Sequence, residues 1–93
     1  MKAIWNDVVI AESEHTVVVE GNHYFPLGAL HQAYFKDSQH TTNCSWKGLA
    51  NYFTIDVNGK ENLNAAWIYK NPLTAADNIK NHVAFWKGVT VTN

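Results

Sequence analysis

Arginine is missing altogether, and that absence is the first constraint. The chain of 93 residues carries seven lysines against eight acidic residues, a formal charge of −1. A nucleic-acid binder normally shows a basic excess and uses the planar guanidinium fork on phosphate or guanine, so nucleic acid is not an expected partner. Cysteine is nearly absent too. With Cys44 alone, neither an internal disulfide nor a four-cysteine zinc site can form within one chain. A single thiol is compatible with a reducing compartment. The five histidines scatter between positions 15 and 82 without ligand-like spacing, so no metal or other cofactor is expected. No run approaches the ~20 apolar residues that cross a bilayer. Asn6 and Asp7 interrupt the N-terminal segment before it reaches signal-peptide length. The expectation is a soluble, cytoplasmic protein without a membrane partner. Linkers, repeats and low-complexity tracts are also lacking, which leaves one domain over residues 1–93.

What is present is apolar and aromatic. Apolar residues make up 46% and charged residues 16%, which excludes a disordered chain. Four Trp, four Tyr and four Phe are a rich supply for a domain that buries roughly two-thirds of its unfolded surface.

The pattern reads as mainly β. Lys2–Trp5 and Val8–Ala11 flank Asn6-Asp7, a pair suited to a tight turn. Thr16–Glu20 is a β-branched run broken by Gly21-Asn22, and His23–Phe25 is extended before Pro26. Leu27–Phe35 suits one or two helical turns, and Lys36–Asn43 reads as a polar loop. The clearest local signal is Tyr52–Val57, Asn58-Gly59, then Lys60 onward, a hairpin with a type I′ turn. Pairing Val57 with Lys60 sets Tyr52 opposite Ala65, with Trp67 and Tyr69 on the same face and Phe53, Ile55, Ala66 and Ile68 on the other. Trp46 joins the Tyr52 face if the strand reaches back unbroken. A helix is predicted over Pro72–His82, capped by Asn71, with Leu73, Ala76, Ile79 and Val83 as its apolar stripe. Phe85–Thr92 then closes the chain as a strand kinked at Gly88.

Four ordered motifs carry a resemblance: Glu20–Pro26, Cys44–Gly48, Ala65–Tyr69 and Val83–Val89. Together they resemble the DUF427 family, small bacterial and cyanobacterial domains of unknown function, essentially end to end. The resemblance implies a β-tent, or Mss4-like, architecture: a small two-sheet domain, mainly β within the α+β class, here with one helix in the C-terminal region. Relatives in the wider β-tent group are often pinned by zinc on paired Cys-x-x-Cys knuckles, and lone Cys44 does not carry that site over. Three departures from the family pattern bear on loop shape near Cys44 and not on the fold. Ser45 stands where many members have Pro, Leu27 where a second Pro is common, and Lys70-Asn71-Pro72 replaces a Tyr-Pro-x-Pro-like run. The nucleotidyltransferase-like label sometimes attached to the family finds no motif here. Metal-held carboxylates would be needed, whereas Asp56-Val57-Asn58 sits at a predicted turn and the remaining acids are scattered.

Several residues have two readings. Glu20 would serve as acid, base or polar anchor in a cleft, or as a strand-end carboxylate bonding the following turn, the plainer and preferred account. Cys44 beside Lys47 has the makings of a low-pKa nucleophile. No third group completes it at close spacing, and a small thiol packed on Trp46 is the preferred account. Tyr24, Trp46, Tyr52, Trp67 and Tyr69 would line a pocket for a small planar or cationic ligand, or form plain aromatic core. His40-Thr41-Thr42 would be solvated or stand at a pocket rim, and Phe85-Trp86 would anchor the core. The expected function is binding of a small molecule in an aromatic pocket, with Glu20 and Lys47 giving polar selectivity and Cys44 near the floor. Two alternatives stand beside it: a small enzyme using Glu20, Cys44 or Lys47, and a domain that pairs as a homodimer rather than remaining a monomer.

Overall fold

Three two-residue turns organise the chain. Asn6-Asp7, Glu20-Gly21 and Asn58-Gly59 all have positive φ at both positions, the type I′ geometry whose twist matches that of paired strands. In a computed structural model covering residues 1–93 they join β1 (Lys2–Trp5) to β2 (Val8–Glu12), β3 (Val17–Val19) to β4 (Asn22–Pro26), and β6 (Gly48–Val57) to β7 (Lys60–Ile68). The remaining strands are β5 (Phe35–Cys44), β8 (His82–Phe85) and β9 (Thr90–Thr92). All pairings between strands are antiparallel. They build a three-stranded sheet, β2-β1-β9, and a six-stranded sheet, β3-β4-β8-β7-β6-β5. No helix is long and apolar enough to cross a membrane.

The larger sheet buries both faces. Phe25, Ile55, Ala66, Ile68, Val83 and Phe85 point toward the smaller sheet and share one core with its Ala3, Ile10 and Ala11. The opposite face holds Tyr24, Ala50, Tyr69 and Ala84, covered by Ala76 and Ile79. The expected division of the β6–β7 hairpin is therefore present, with Phe53 and Ile55 on one side and Tyr52, Trp67 and Tyr69 on the other.

Its register is not as expected. Val57 does pair with Lys60, but Tyr52 pairs with Trp67 rather than Ala65, because Thr54 stands opposite three residues, Leu63, Asn64 and Ala65. The slip is two residues, an even number, so side chains beyond the bulge keep their faces, while Ala65 within it turns into the core shared with the smaller sheet instead of standing on the Tyr52 face. Trp46 does not continue β6. It lies in the Ser45–Lys47 turn and is 38% exposed.

Three further expectations are corrected. Residues 36–43 are not a loop but most of β5, paired along β6. A strand at a sheet edge, wet on both sides, needs no apolar alternation and so leaves no periodic signal. The helix over Pro72–His82 is absent; the segment holds only 3₁₀ turns over Thr74–Ile79, with Ala76 breaking the helical dihedrals. Leu73, Ala76 and Ile79 recur every third residue, the 3₁₀ period, and Val83 belongs to β8. The chain leaves Tyr69 and returns to it within a dozen residues, the Tyr69 carbonyl accepting the Asn81 N–H at 3.0 Å and Tyr69 bridging to Lys80. So short a tether leaves no length for a full α-helix. Finally, Phe85–Thr92 is not one kinked strand. Lys87 and Gly88, with φ of 54° and 86°, turn the chain out of the larger sheet so that β9 joins the smaller one. Leu27–Ala29 and Gln32–Tyr34 form the expected short helical turns, both 3₁₀.

Candidate functional site

The turn between β5 and β6 places Lys47, the one charged side chain lining a cleft on the covered side of the larger sheet. Gly48 has φ of +105°, where a Cβ would meet Leu73 at 3.5–3.6 Å, and the Lys47 carbonyl accepts the Leu73 N–H at 2.9 Å. Held there, the Lys47 side chain runs inward with its Nζ 5.2 Å from the Trp46 ring and 5.6 Å from the Tyr69 ring. It ends on the carboxylate of Glu20, to which it donates a hydrogen bond. Lys47 is 7% exposed, whereas the Glu20 side chain is about half exposed. The pair thus ties the β3–β4 turn to the β5–β6 turn across the sheet.

Burial pulls the Lys47 pKa down, but the Glu20 hydrogen bond, the Tyr24 and Tyr69 phenols and the Glu20 charge together raise it above the lysine value of 10.5. On the Tyr69 phenol burial acts the other way and raises the pKa, against the opposing pull of Lys47. At neutral pH the site holds an ammonium ion and a protonated phenol. The ammonium donates to Glu20, and the phenol is a further hydrogen-bond donor. Neither is a ready nucleophile, which would require the neutral amine or the phenolate.

Above Lys47 lies a cleft of about 210 Å³ lined by Lys47, Tyr52, Trp67, Tyr69 and Trp86. Cross-strand pairing sets Tyr52 beside Trp67. The Trp67 indole stands edge-on to Tyr24, ring centroids 6.2 Å apart, and donates its Nε1–H to the Tyr24 hydroxyl at 3.1 Å. Trp86 meets Trp67 at 90° with centroids 6.2 Å apart, and its Nε1–H goes to the Asn64 carbonyl at 2.7 Å. The Tyr52 and Thr42 hydroxyls share a hydrogen bond at 3.0 Å, and the His40 ring packs on Tyr52 at 4.7 Å.

Of the residues singled out in the sequence, Lys47, Tyr52, Trp67 and Tyr69 line the cleft. Tyr24 is fully buried beneath Trp67. Glu20 lies behind Lys47, and Trp46 covers the lysine from the solvent side of the turn. Cys44 is partly buried against the second core, not on the cleft floor. Trp86 was read as core and stands instead at the cleft's edge, 47% exposed. Its signal was the alternation of β8. Ala84 pairs with Trp67, so Trp86, two residues on, falls on the Trp67 side.

A family model described as a domain of unknown function, DUF427, matches residues 1–92. The chain belongs to that family. No curated protein matches it.

Proposed function

With membership of the DUF427 family as the premise, we propose that this domain binds a small molecule in the cleft between Tyr52, Trp67, Tyr69 and Trp86, over Lys47. The supporting observation is the buried ammonium. A charge inside a protein is costly unless paired and fully hydrogen-bonded, yet Lys47 donates to Glu20 alone beneath an aromatic opening. Aromatic walls with a few convergent polar groups are the usual make-up of ligand sites. At about 210 Å³ the cleft falls below the roughly 300–1,000 Å³ of drug-sized pockets, which favours an occupant built on one ring over a whole nucleoside triphosphate. The β-tent arrangement implied by the resemblance belongs to the same proposal, with the shared core of both sheets as the ridge and the cleft on the outer slope of the larger one.

The test is a thermal-shift screen of small metabolites, nucleosides, nucleotides, amines and divalent metals. A ligand at a hundred times its Kd stabilises by ~2.7 kcal/mol, a rise on the order of 10 °C for so small a domain. The expected hit disappears in both Trp67→Ala and Lys47→Ala while each variant stays folded. A magnesium-dependent nucleotide hit would overturn this reading in favour of an enzyme. One observation favours self-association instead: Trp46, Leu49 and Leu73 stand at one turn, 38%, 51% and 50% exposed. Mass that rises with concentration in light scattering, and is restored to the monomer by Leu73→Ser, would select it.

A further inference from the structure

The cleft's hydrogen-bonding groups are not equally free. Both indole N–H groups are already engaged, Trp67 with Tyr24 and Trp86 with Asn64. The Tyr52 hydroxyl is engaged with Thr42. Three of the five lining residues therefore offer an occupant ring surface and no unengaged N–H. At the floor the situation reverses. An ammonium has three N–H groups, and Glu20 accepts from Lys47 at one of them. Tyr69 is 5% exposed, and its hydroxyl has no partner in the protein. Since no wholly buried polar side-chain atom is left unpaired, that hydroxyl opens onto the cleft.

Resting on the reading of this cleft as a ligand site, we infer that its occupant is a small planar monoanion. It is a carboxylate on one ring or a short conjugated chain, its oxygens on Lys47 and Tyr69 and its flat body against Tyr52, Trp67 and Trp86. Charge-assisted bonds to an oxyanion are the strongest use of such donors, and two donors suit the two oxygens of one carboxylate. The walls decide the rest of the molecule, because a polar group set against engaged indoles would lose its water without replacement. A cation is opposed by the ammonium already on the floor. Glu20 does not line the cleft, and its carboxylate is already engaged with that ammonium. A dianion is opposed as well. Glu20 neutralises much of the Lys47 charge, and the other ammonium nearby, Lys87, is 5.0 Å from the Trp86 ring, donates to the Leu63 carbonyl and does not line the cleft.

Four single-ring probes test this: benzoate, its neutral planar match benzamide, phenyl phosphate and benzylammonium, titrated at millimolar concentration while cleft tryptophan fluorescence and melting temperature are followed. Benzoate is expected to bind at least tenfold more tightly than benzamide. Tyr69→Phe should weaken benzoate roughly ten- to a hundredfold, the scale of one hydrogen bond to a charged group, and leave benzamide less affected. Lys47→Met should abolish the preference for benzoate. Equal binding of benzoate and benzamide overturns the anion and leaves the ligand site standing. Preference for phenyl phosphate or benzylammonium overturns the monoanion in the same way. Silence from all four in the folded wild-type protein overturns both the inference and the site. Preference for benzoate that survives Tyr69→Phe and Lys47→Met places the carboxylate elsewhere and overturns the assignment.

Discussion

Glu20 occupies a position where a type I′ turn favours Asn, Asp or Gly, since its φ is 54° and a long side chain gains nothing locally there. Its gain is distant, the hydrogen bond from Lys47 27 residues away. The two contributions separate in a double-mutant cycle. In a Lys47→Met background, Glu20→Asn should stabilise by about 0.5 kcal/mol through the turn alone. In the wild-type background the same change should destabilise, by on the order of 1 kcal/mol, because it leaves a buried ammonium unpaired; the half-exposed carboxylate keeps the figure small. Equal effects in both backgrounds, measured by urea unfolding, would show that the pair is energetically silent. The pH dependence follows from the same residues. Lys47 and Tyr69 both hold their protons more tightly folded than at their ordinary values of 10.5 and 10.0. Their contribution is therefore complete below those unfolded values and is lost as pH rises through the higher folded ones. Melting temperature should fall more steeply above about pH 10 in the wild type than in Lys47→Met/Tyr69→Phe. Parallel curves would remove both groups from the account.

Two bulges face each other across β6. Thr54 stands opposite Leu63–Ala65 of β7, and Tyr52 opposite Ser38–His40 of β5. Bulges gather where a sheet must re-aim a side chain, and these do. The β5 bulge sets His40 on Tyr52, while the β7 bulge turns the Asn64 carbonyl toward Trp86. They are joined to each other, Ser38 donating to the Asn64 side chain at 2.5 Å, and the Asn64 N–H reaches Thr54 at 3.3 Å. Asn64 has φ of 56°, tolerable for Asn or Gly and strained for a β-branched residue. Asn64→Val should cost about 1–3 kcal/mol and red-shift tryptophan emission as Trp86 loses its acceptor. Asn64→Gly should keep the carbonyl, and with it the emission of the wild type. Identical emission from both variants would show that the bulge does not position Trp86. None of this was legible from residue order. Asn58-Gly59 announces its turn because few dipeptides tolerate two positive φ values, and the alternation of Tyr52–Val57 announces its faces. A bulge leaves no comparable mark, and β5 had no buried face to write a pattern with. The three-residue spacing of Leu73, Ala76 and Ile79 was visible, but taken with Val83 it read as an α-helical stripe. Four of the five cleft residues could be named because they share a strand face or a neighbouring turn. Trp86 was not among them, since the alternation after Ala84 points to the cleft only once Ala84 is known to pair with Trp67.

At the scale of the molecule the question is whether two sheets make one folding unit. The smaller sheet has strands of four, five and three residues, too little to stand alone in water. Its Ala3, Ile10 and Ala11 are wholly buried, and they lie in the same cluster as Ile55, Ile68 and Phe85 of the larger sheet. The cleft side chains sit on the far face of that larger sheet, one sheet thickness from this core. Loss of the small sheet should therefore uncover the inner face of β6 and β7 and release Tyr52 and Trp67 with it. Ile10→Ala is the sharpest probe, removing a buried side chain from the small sheet without touching the cleft. It should cost about 2–5 kcal/mol, a large part of the 5–15 kcal/mol typical of a whole domain. Leu63→Ala, 60% exposed, should change stability by about 0.5 kcal/mol or less. Far-UV circular dichroism, which follows all nine strands, and tryptophan fluorescence, weighted toward the cleft, should report one coincident transition in both variants, shifted only in Ile10→Ala. Two separated transitions in Ile10→Ala, with fluorescence surviving the first, would mean that the larger sheet holds its cleft unaided and that the smaller one is an appendage.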